Sequence, residues 1–80
     1  MKTRYKHVEF EKTDYRDTWT CRAAGYSDEL GEVAPDALDD LVFVPDDEYK
    51  ALTPGQLRDI ADFIEQAEYA KSEPGGEGTP

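Results

Sequence analysis

The chain has 80 residues and a formal net charge of −10, because nineteen Asp and Glu residues outnumber nine Lys and Arg residues. This length predicts one small domain, and a hydrophobic content of 38% suffices for one core and argues against a disordered chain. The acidic balance argues against direct binding to nucleic acid or to an anionic membrane surface, since both attract Lys and Arg.

The N-terminus and the cysteine content predict a soluble, cytoplasmic protein. Residues 1–4 lead into polar residues rather than an apolar signal sequence, and no apolar run approaches the length of a membrane span. Cys21 is the only cysteine, so an internal disulfide is excluded and nothing indicates an oxidising compartment.

The first 24 residues predict an antiparallel β-hairpin. Residues 4–12 alternate, with Lys6, Val8 and Phe10 on one face, whereas the other face receives Tyr5, His7, Glu9 and Glu11. Residues 18–24 alternate again and place Trp19, Cys21 and Ala23 together, opposite Thr18, Thr20 and Arg22. The polar residues 13–17 form the predicted turn, although no glycine specifies its type.

The middle of the chain predicts a loop, a short helix and a third strand. Gly25, Gly31 and Pro35 mark residues 25–35 as a loop. Pro35 is suited to the first position of a short helix over 36–40, where Asp36 would lie at the positive end of the helix dipole. Residues 41–44, Leu-Val-Phe-Val, are the most β-prone run, and Pro45 ends it.

The clearest predicted element is a C-terminal helix over 54–71. Thr53, Pro54 and Gln56 fit a capping box, with Thr at the N-cap and Gln three residues later. An apolar stripe then recurs at helical spacing, bordered by Phe63 and formed by Leu57, Ile60, Ala61, Ile64 and Ala67. Residues 72–80 are rich in Gly and Pro and predict a disordered tail. The predicted fold is therefore α+β: about three antiparallel strands packed on one C-terminal helix, within a single domain over 1–71.

Neither catalysis nor a metal site is predicted. His7 is the only histidine, and alternation places it on the face opposite Cys21, which argues against a Cys–His nucleophile pair. The paired carboxylates lack a predicted pocket that would shift their pKa values. Asp36, Asp39 and Asp40, or Asp46 to Glu48, could offer oxygen ligands, but the ligand order of a calcium loop is absent. We therefore expect no enzyme activity and no cofactor.

The charge is segregated along the chain. Residues 1–22 carry six basic and four acidic side chains, a net charge of +2, whereas residues 23–80 carry three and fifteen, a net charge of −12. No Lys, Arg or His lies between Arg22 and Lys50. Because self-repulsion disfavours a compact chain, this stretch predicts a binding surface for a basic partner. The carboxylates predicted to bind are Asp28, Glu29, Glu32, Asp36, Asp39, Asp40, Asp46, Asp47 and Glu48.

Further candidates lie on the helix and beside the acidic stretch. Asp59 and Asp62 are neighbours on a helix, and Glu65 continues their face. Tyr26 and Tyr49 bracket the acidic stretch, and tyrosine is common at protein interfaces. If the acidic stretch folds beside the helix, one continuous negative surface that imitates the phosphates of DNA would result.

In size, charge segregation and expected build, the chain resembles small acidic inhibitors made by bacteriophages, particularly anti-CRISPR proteins that mimic DNA. The residues that carry this resemblance are Asp28 to Glu48, Asp59, Asp62 and Glu65. The resemblance implies a phage protein that blocks the DNA-binding surface of a CRISPR-Cas complex or a nuclease. The net basic segment 1–22 departs from the most acidic mimics and confines any mimicry to one side. The alternative is a small regulatory or adaptor module, antitoxin-like or a subunit, that binds through its helix or its tail.

Overall fold

The computed structural model describes residues 1–46 and 51–72, with side chains described up to residue 70. Its elements are β1 (Val8–Lys12), β2 (Trp19–Ala23), β3 (Glu29–Pro35), β4 (Leu41–Pro45) and α1 (Pro54–Ser72). The strands pair antiparallel in the order β1-β2-β3-β4. The α+β class is confirmed, with one C-terminal helix on an antiparallel sheet that has four strands rather than about three.

The β1–β2 hairpin confirms the predicted alternation. Phe10 pairs with Cys21, and Val8 with Ala23, so the apolar side chains of both strands share one face. Asp17 adopts a φ of 51° in the connecting turn, a conformation that Asp tolerates better than most residues. The turn therefore forms without the glycine that would have identified it from the sequence.

The alternation over residues 4–12 predicts a strand that begins near residue 4. The segment before Val8 is not part of β1. Instead it turns back: the Tyr5 N–H donates to the Val8 carbonyl (2.9 Å), and the Phe10 N–H donates to the Thr3 carbonyl (2.8 Å). Tyr5 consequently enters the core, with 9% of its surface exposed, and its ring meets Phe10 edge to face. His7 is half-buried rather than displayed on a strand face.

The predicted loop over 25–35 is wrong, because most of it forms β3. This strand is the longest of the four and lies between β2 and β4, with Leu30 and Val33 buried. Gly31, which indicated a loop, instead permits close approach to β4. A Cβ at this position would lie 2.3 Å from the Val44 carbonyl oxygen and 2.7 Å from the Phe43 ring.

The predicted short helix over 36–40 is also wrong. The segment is the β3–β4 turn, and Pro35 ends a strand rather than beginning a helix. Asp36 Oδ1 accepts hydrogen bonds from the N–H groups of Leu38 (2.9 Å) and Asp40 (3.0 Å). Asp39 adopts a φ of 68°. Such local hydrogen bonding by Asp competes with helix formation, which explains the outcome.

The helix α1 is confirmed from Pro54, with its last residue at Ser72 rather than residue 71. The capping box forms as predicted: Thr53 Oγ1 accepts from the Gln56 N–H (3.1 Å), and Gln56 Oε1 accepts from the Thr53 N–H (2.9 Å). Apart from Ser72, the predicted tail lies outside the described residues.

The core lies between one face of the sheet and α1, and Phe63 is at its centre. Its ring stacks on Phe10 at 3.9 Å between centroids and meets Trp19 edge to face at 5.3 Å. Phe63 is fully buried, with Ile60 and Ala67 beside it, whereas Leu57 is 51% exposed and Ala61 is also exposed. The buried face of the helix is therefore offset from the predicted stripe. Phe63 was predicted at the border of the stripe but lies at the centre of the buried face.

Candidate functional site: the open face of the sheet

The face of the sheet that points away from α1 carries most of its strands' charged side chains. Strand alternation and register place charged and uncharged residues together on this face. They are Glu9 and Glu11 on β1, Thr20 and Arg22 on β2, Glu29, Glu32 and Ala34 on β3, and Val42 and Val44 on β4. No described element packs against this open face. Glu9 and Glu11 lie on it although they are not among the binding residues predicted from the sequence; their alternation with Val8 and Phe10 was the available signal.

The β1–β2 half of the open face is balanced in charge. Arg22 Nη1 bonds Glu11 Oε1 at 2.6 Å, and Arg4 forms a β-bridge opposite Glu9. These four side chains line a recess of about 330 Å³ together with Thr3 and Phe10. Two carboxylates and two guanidinium groups therefore meet there, so this half already contains the cations that its acids attract.

Among the described residues, the β3–β4 half of the open face carries acidic side chains and no basic ones. Glu29 is exposed on β3, Glu32 is half-exposed three residues later on the same strand, and Asp46 follows the end of β4. They line a second recess, of about 190 Å³, whose other walls are Gly31, Val44 and Pro45. No Lys or Arg is among these lining residues. The unbalanced charge of the open face is therefore concentrated along β3.

More carboxylates continue this line beyond both ends of β3. Asp28 precedes the strand and is exposed, and the β3–β4 turn at the other end exposes Asp36, Asp39 and Asp40. We call the described members of this line the acidic strip: Asp28, Glu29, Glu32, Asp36, Asp39, Asp40 and Asp46. The seven residues of β3 alone span about 20 Å at a rise of about 3.3 Å per residue, and the acidic strip extends beyond both ends of the strand.

Asp59 and Asp62 are not part of the acidic strip. They lie on α1, which covers the opposite face of the sheet, and they hold the N-terminal segment. Asp62 Oδ2 accepts from the Tyr5 hydroxyl (2.9 Å), and Asp59 Oδ2 accepts from the His7 N–H (2.9 Å). One turn further, Gln66 exchanges two hydrogen bonds with the backbone of Lys2 (2.7 and 2.8 Å). The two helical aspartates therefore attach the N-terminal segment to α1.

The environment of Tyr5 reflects this attachment. Burial, the hydrogen bond to Asp62 and the negative charges of Asp62 and Asp59 all raise the pKa of the Tyr5 hydroxyl above its ordinary value. The hydroxyl therefore stays protonated and can donate to Asp62. The His7 ring packs on the N-terminal turn of α1, where a Cβ at Gly55 would lie 2.7 Å from it.

The remaining predicted binding residues have different outcomes. Tyr26 is 72% exposed in the β2–β3 turn, at the end of the sheet where Asp28 and Asp46 lie. Asp47, Glu48 and Tyr49 lie outside the described residues, and their role in binding stays a prediction.

The nucleophile considered from the sequence is inaccessible. Cys21 is fully buried, and burial raises the pKa of its thiol to about 12. Among the described residues, no group of three or more His, Cys, Asp or Glu side chains is arranged to hold a metal ion. Within the same residues, no helix is long and apolar enough to cross a membrane.

The free edge of β4 is poorly suited to pairing with another strand. The Asp36 N–H donates to the Asp40 carbonyl, and the Asp46 N–H donates to the Leu30 carbonyl. Because hydrogen-bonded positions alternate along an antiparallel pair, even-numbered residues of β4 bond to β3 and odd-numbered residues direct their backbone groups toward the free edge. The Leu41 N–H donates to Glu68 Oε2, and Pro45 has no N–H. The open face is thus better suited than this edge to receive a partner.

No protein-family model, curated protein or solved structure matches this chain. The geometry and charge of the open face are therefore the basis for the function proposed below.

Proposed function

We propose that this protein is an acidic DNA-mimic inhibitor. In this proposal the acidic strip occupies the DNA-binding surface of a nucleic-acid-binding effector protein, such as a CRISPR-Cas complex or a nuclease. The observation that supports it is the concentration of seven described carboxylates on β3, at its two ends and at the end of the neighbouring strand β4.

The spacing of these charges supports the comparison with DNA. One strand of duplex DNA carries a phosphate about every 3.4 Å, so about 20 Å of one strand presents about six negative charges. The acidic strip presents seven carboxylates over β3 and its two ends, a somewhat longer distance. A row of lysine and arginine side chains that follows one phosphate backbone would therefore meet a comparable row of charges here.

The rigidity of the scaffold also supports the proposal. Glu29 and Glu32 project from a strand that is paired on both sides, and Asp36 stabilises the turn that presents Asp39 and Asp40. Charges held on ordered backbone lose little conformational freedom on binding. Association driven by such a field is fast and weakens steeply as salt is added.

The test is affinity capture from bacterial lysate with the tagged protein, followed by elution with short duplex DNA or with salt. The proposal predicts that captured proteins bind DNA and are released by both. The double variant Glu29→Gln/Glu32→Gln should then bind the purified partner at least about tenfold more weakly, since about 1.4 kcal/mol of lost charge pairing suffices for that change.

The matched control is Asp14→Asn/Glu65→Gln, which alters net charge equally at two exposed sites away from the acidic strip. It should bind the purified partner as the parent does. Retention of every captured protein in the presence of duplex DNA and high salt would overturn the proposal, as would equal weakening by both double variants.

An adaptor function remains as a second candidate, because α1 exposes apolar surface. Leu57 is 51% exposed and Ala61 is exposed one turn later, on a side of the helix that the sheet does not cover. A partner bound there would be retained at high salt and released by Leu57→Glu, whereas the glutamine variants of β3 would bind it normally. The same capture experiment therefore separates the two functions.

A further inference from the structure

The recess between β3 and β4 differs from the rest of the open face in combining apolar walls with a carboxylate rim. Val44 is 44% exposed there, and Pro45 and the backbone of Gly31 complete the apolar lining. Glu29, Glu32 and Asp46 supply the rim, and the volume is about 190 Å³. A recess of this kind offers both hydrophobic contact and negative charge within one side chain's reach.

The backbone that frames the recess is held in place by the fold. A β-bulge shifts the β2–β3 register between Cys21 and Arg22, so Glu29 rather than Leu30 pairs with Arg22. Gly31 then approaches β4 so closely that any side chain would collide with the Val44 carbonyl. The Asp46 N–H donates to the Leu30 carbonyl (3.0 Å) and holds the end of β4 in place. The recess is therefore formed before any partner arrives.

We propose that this recess binds one arginine side chain of the partner protein. This inference rests on the proposed function, because it makes the recess the anchor of the acidic strip. The methylene groups of the arginine would lie on Val44 and Pro45, as long basic side chains do on apolar surface. Its guanidinium would donate to the rim carboxylates, and its planar fork suits carboxylate acceptors better than the lysine ammonium does.

Charge complementarity distinguishes this recess from its neighbour on the same face. The recess at β1 and β2 contains Arg4 and Arg22 beside Glu9 and Glu11, and Glu11 already bonds Arg22 at 2.6 Å. Among the described residues that line the recess between β3 and β4, three are carboxylates and none is a cation. An external guanidinium therefore gains most at the second recess, where it meets unbalanced charge.

The experiment is a titration of the ¹⁵N-labelled protein with the blocked tripeptide acetyl-Gly-Arg-Gly-amide at low salt, followed by NMR. We expect saturable shifts of the Gly31, Glu32 and Asp46 amides with one common Kd. The lysine tripeptide should bind at least threefold more weakly, and the glutamine tripeptide should produce no saturable shift. Equal binding of the arginine and lysine peptides, or shifts of equal size around Asp14 and Glu65, would overturn the assignment.

A matched pair of variants tests the apolar wall without changing charge. Val44 and Val42 lie on the same face of β4, but only Val44 lines the recess. Val44→Ser should weaken binding of the arginine peptide at least threefold, whereas Val42→Ser should leave it unchanged. Equal affinity of Val44→Ser and the parent would overturn the role of the wall. Partial exposure of both residues makes either variant compatible with folding.

The outcome is separable from that of the proposed function. If the tripeptide binds the recess but no DNA-displaceable partner is captured, the DNA-mimic function fails while the arginine site stands. If such a partner is captured and purified but binds Val44→Ser and the parent equally, the arginine site is refuted as its anchor while the DNA-mimic function stands.

Discussion

Replacement of Phe63 by alanine tests whether the core is centred where the structure places it. Phe63 is fully buried and contacts Phe10 and Trp19 through stacked and edge-to-face rings. Phe→Ala at a core site costs about 3–5 kcal/mol, from lost transfer free energy and the cavity left behind. An 80-residue domain has a free energy of unfolding of about 4–12 kcal/mol, so this substitution removes much of it.

Leu57→Ala is the matched control, because the sequence pattern alone places Leu57 in the apolar stripe and leaves Phe63 at its border. Leu57 is 51% exposed, so its truncation should cost no more than about 1 kcal/mol. In contrast, Phe63→Ala should lower the urea midpoint by about 3 M, for a denaturant slope of about 1 kcal/mol/M.

The assay is equilibrium unfolding in urea, followed by Trp19 fluorescence and by circular dichroism. Trp19 is a direct reporter because its ring touches Phe63. Phe63→Leu should fall between the parent and Phe63→Ala, since it refills part of the cavity. A Leu57→Ala variant that is destabilised as strongly as Phe63→Ala would refute the packing described for α1.

Two further predictions concern titration and close approach. Burial raises the pKa of Cys21, and burial together with Asp62 raises that of Tyr5, so the unfolded chain loses these protons first, near pH 9.0 and 10.0. The stability that these two groups contribute should therefore be fully present below about pH 9 and decline as pH rises further, with a shallower decline in Tyr5→Phe and in Cys21→Ala. Urea midpoints measured from pH 7 to 11 test this. A midpoint that falls with pH as steeply in both variants as in the parent would contradict it. Gly31→Ala should destabilise the protein by more than about 1 kcal/mol, because its Cβ would lie 2.3 Å from the Val44 carbonyl oxygen, and a thermal melt indistinguishable from the parent's would contradict the close strand approach.

The elements predicted correctly are those whose signals are local. The helix α1 begins at a capping box that needs only Thr53 and Gln56, three residues apart. The β1–β2 hairpin follows from alternation within each strand, which places Val8, Phe10, Trp19 and Cys21 on one face whatever else surrounds them.

The errors arose where tertiary contacts override local preference. Gly31 and Pro35 indicate a loop when read singly, yet β3 is paired on both sides and buries Leu30 and Val33. Tyr5 alternates with the apolar residues of β1, but the chain reverses before Val8 and turns its ring into the core. Neither outcome can be read from a window of ten residues.

The acidic surface shows the same division. The sequence by itself determined that carboxylates are concentrated after Arg22 and that Glu9, Glu11 and Arg22 lie on the face opposite the core, because charge and strand alternation are properties of the chain. Only the tertiary structure decided which carboxylates lie near one another. It brought Glu29, Glu32 and Asp46 to one recess and engaged Asp59 and Asp62 with the N-terminal segment, more than 50 residues away. Strand register and long-range hydrogen bonds assign each charge its neighbours, and both form only when the whole chain folds.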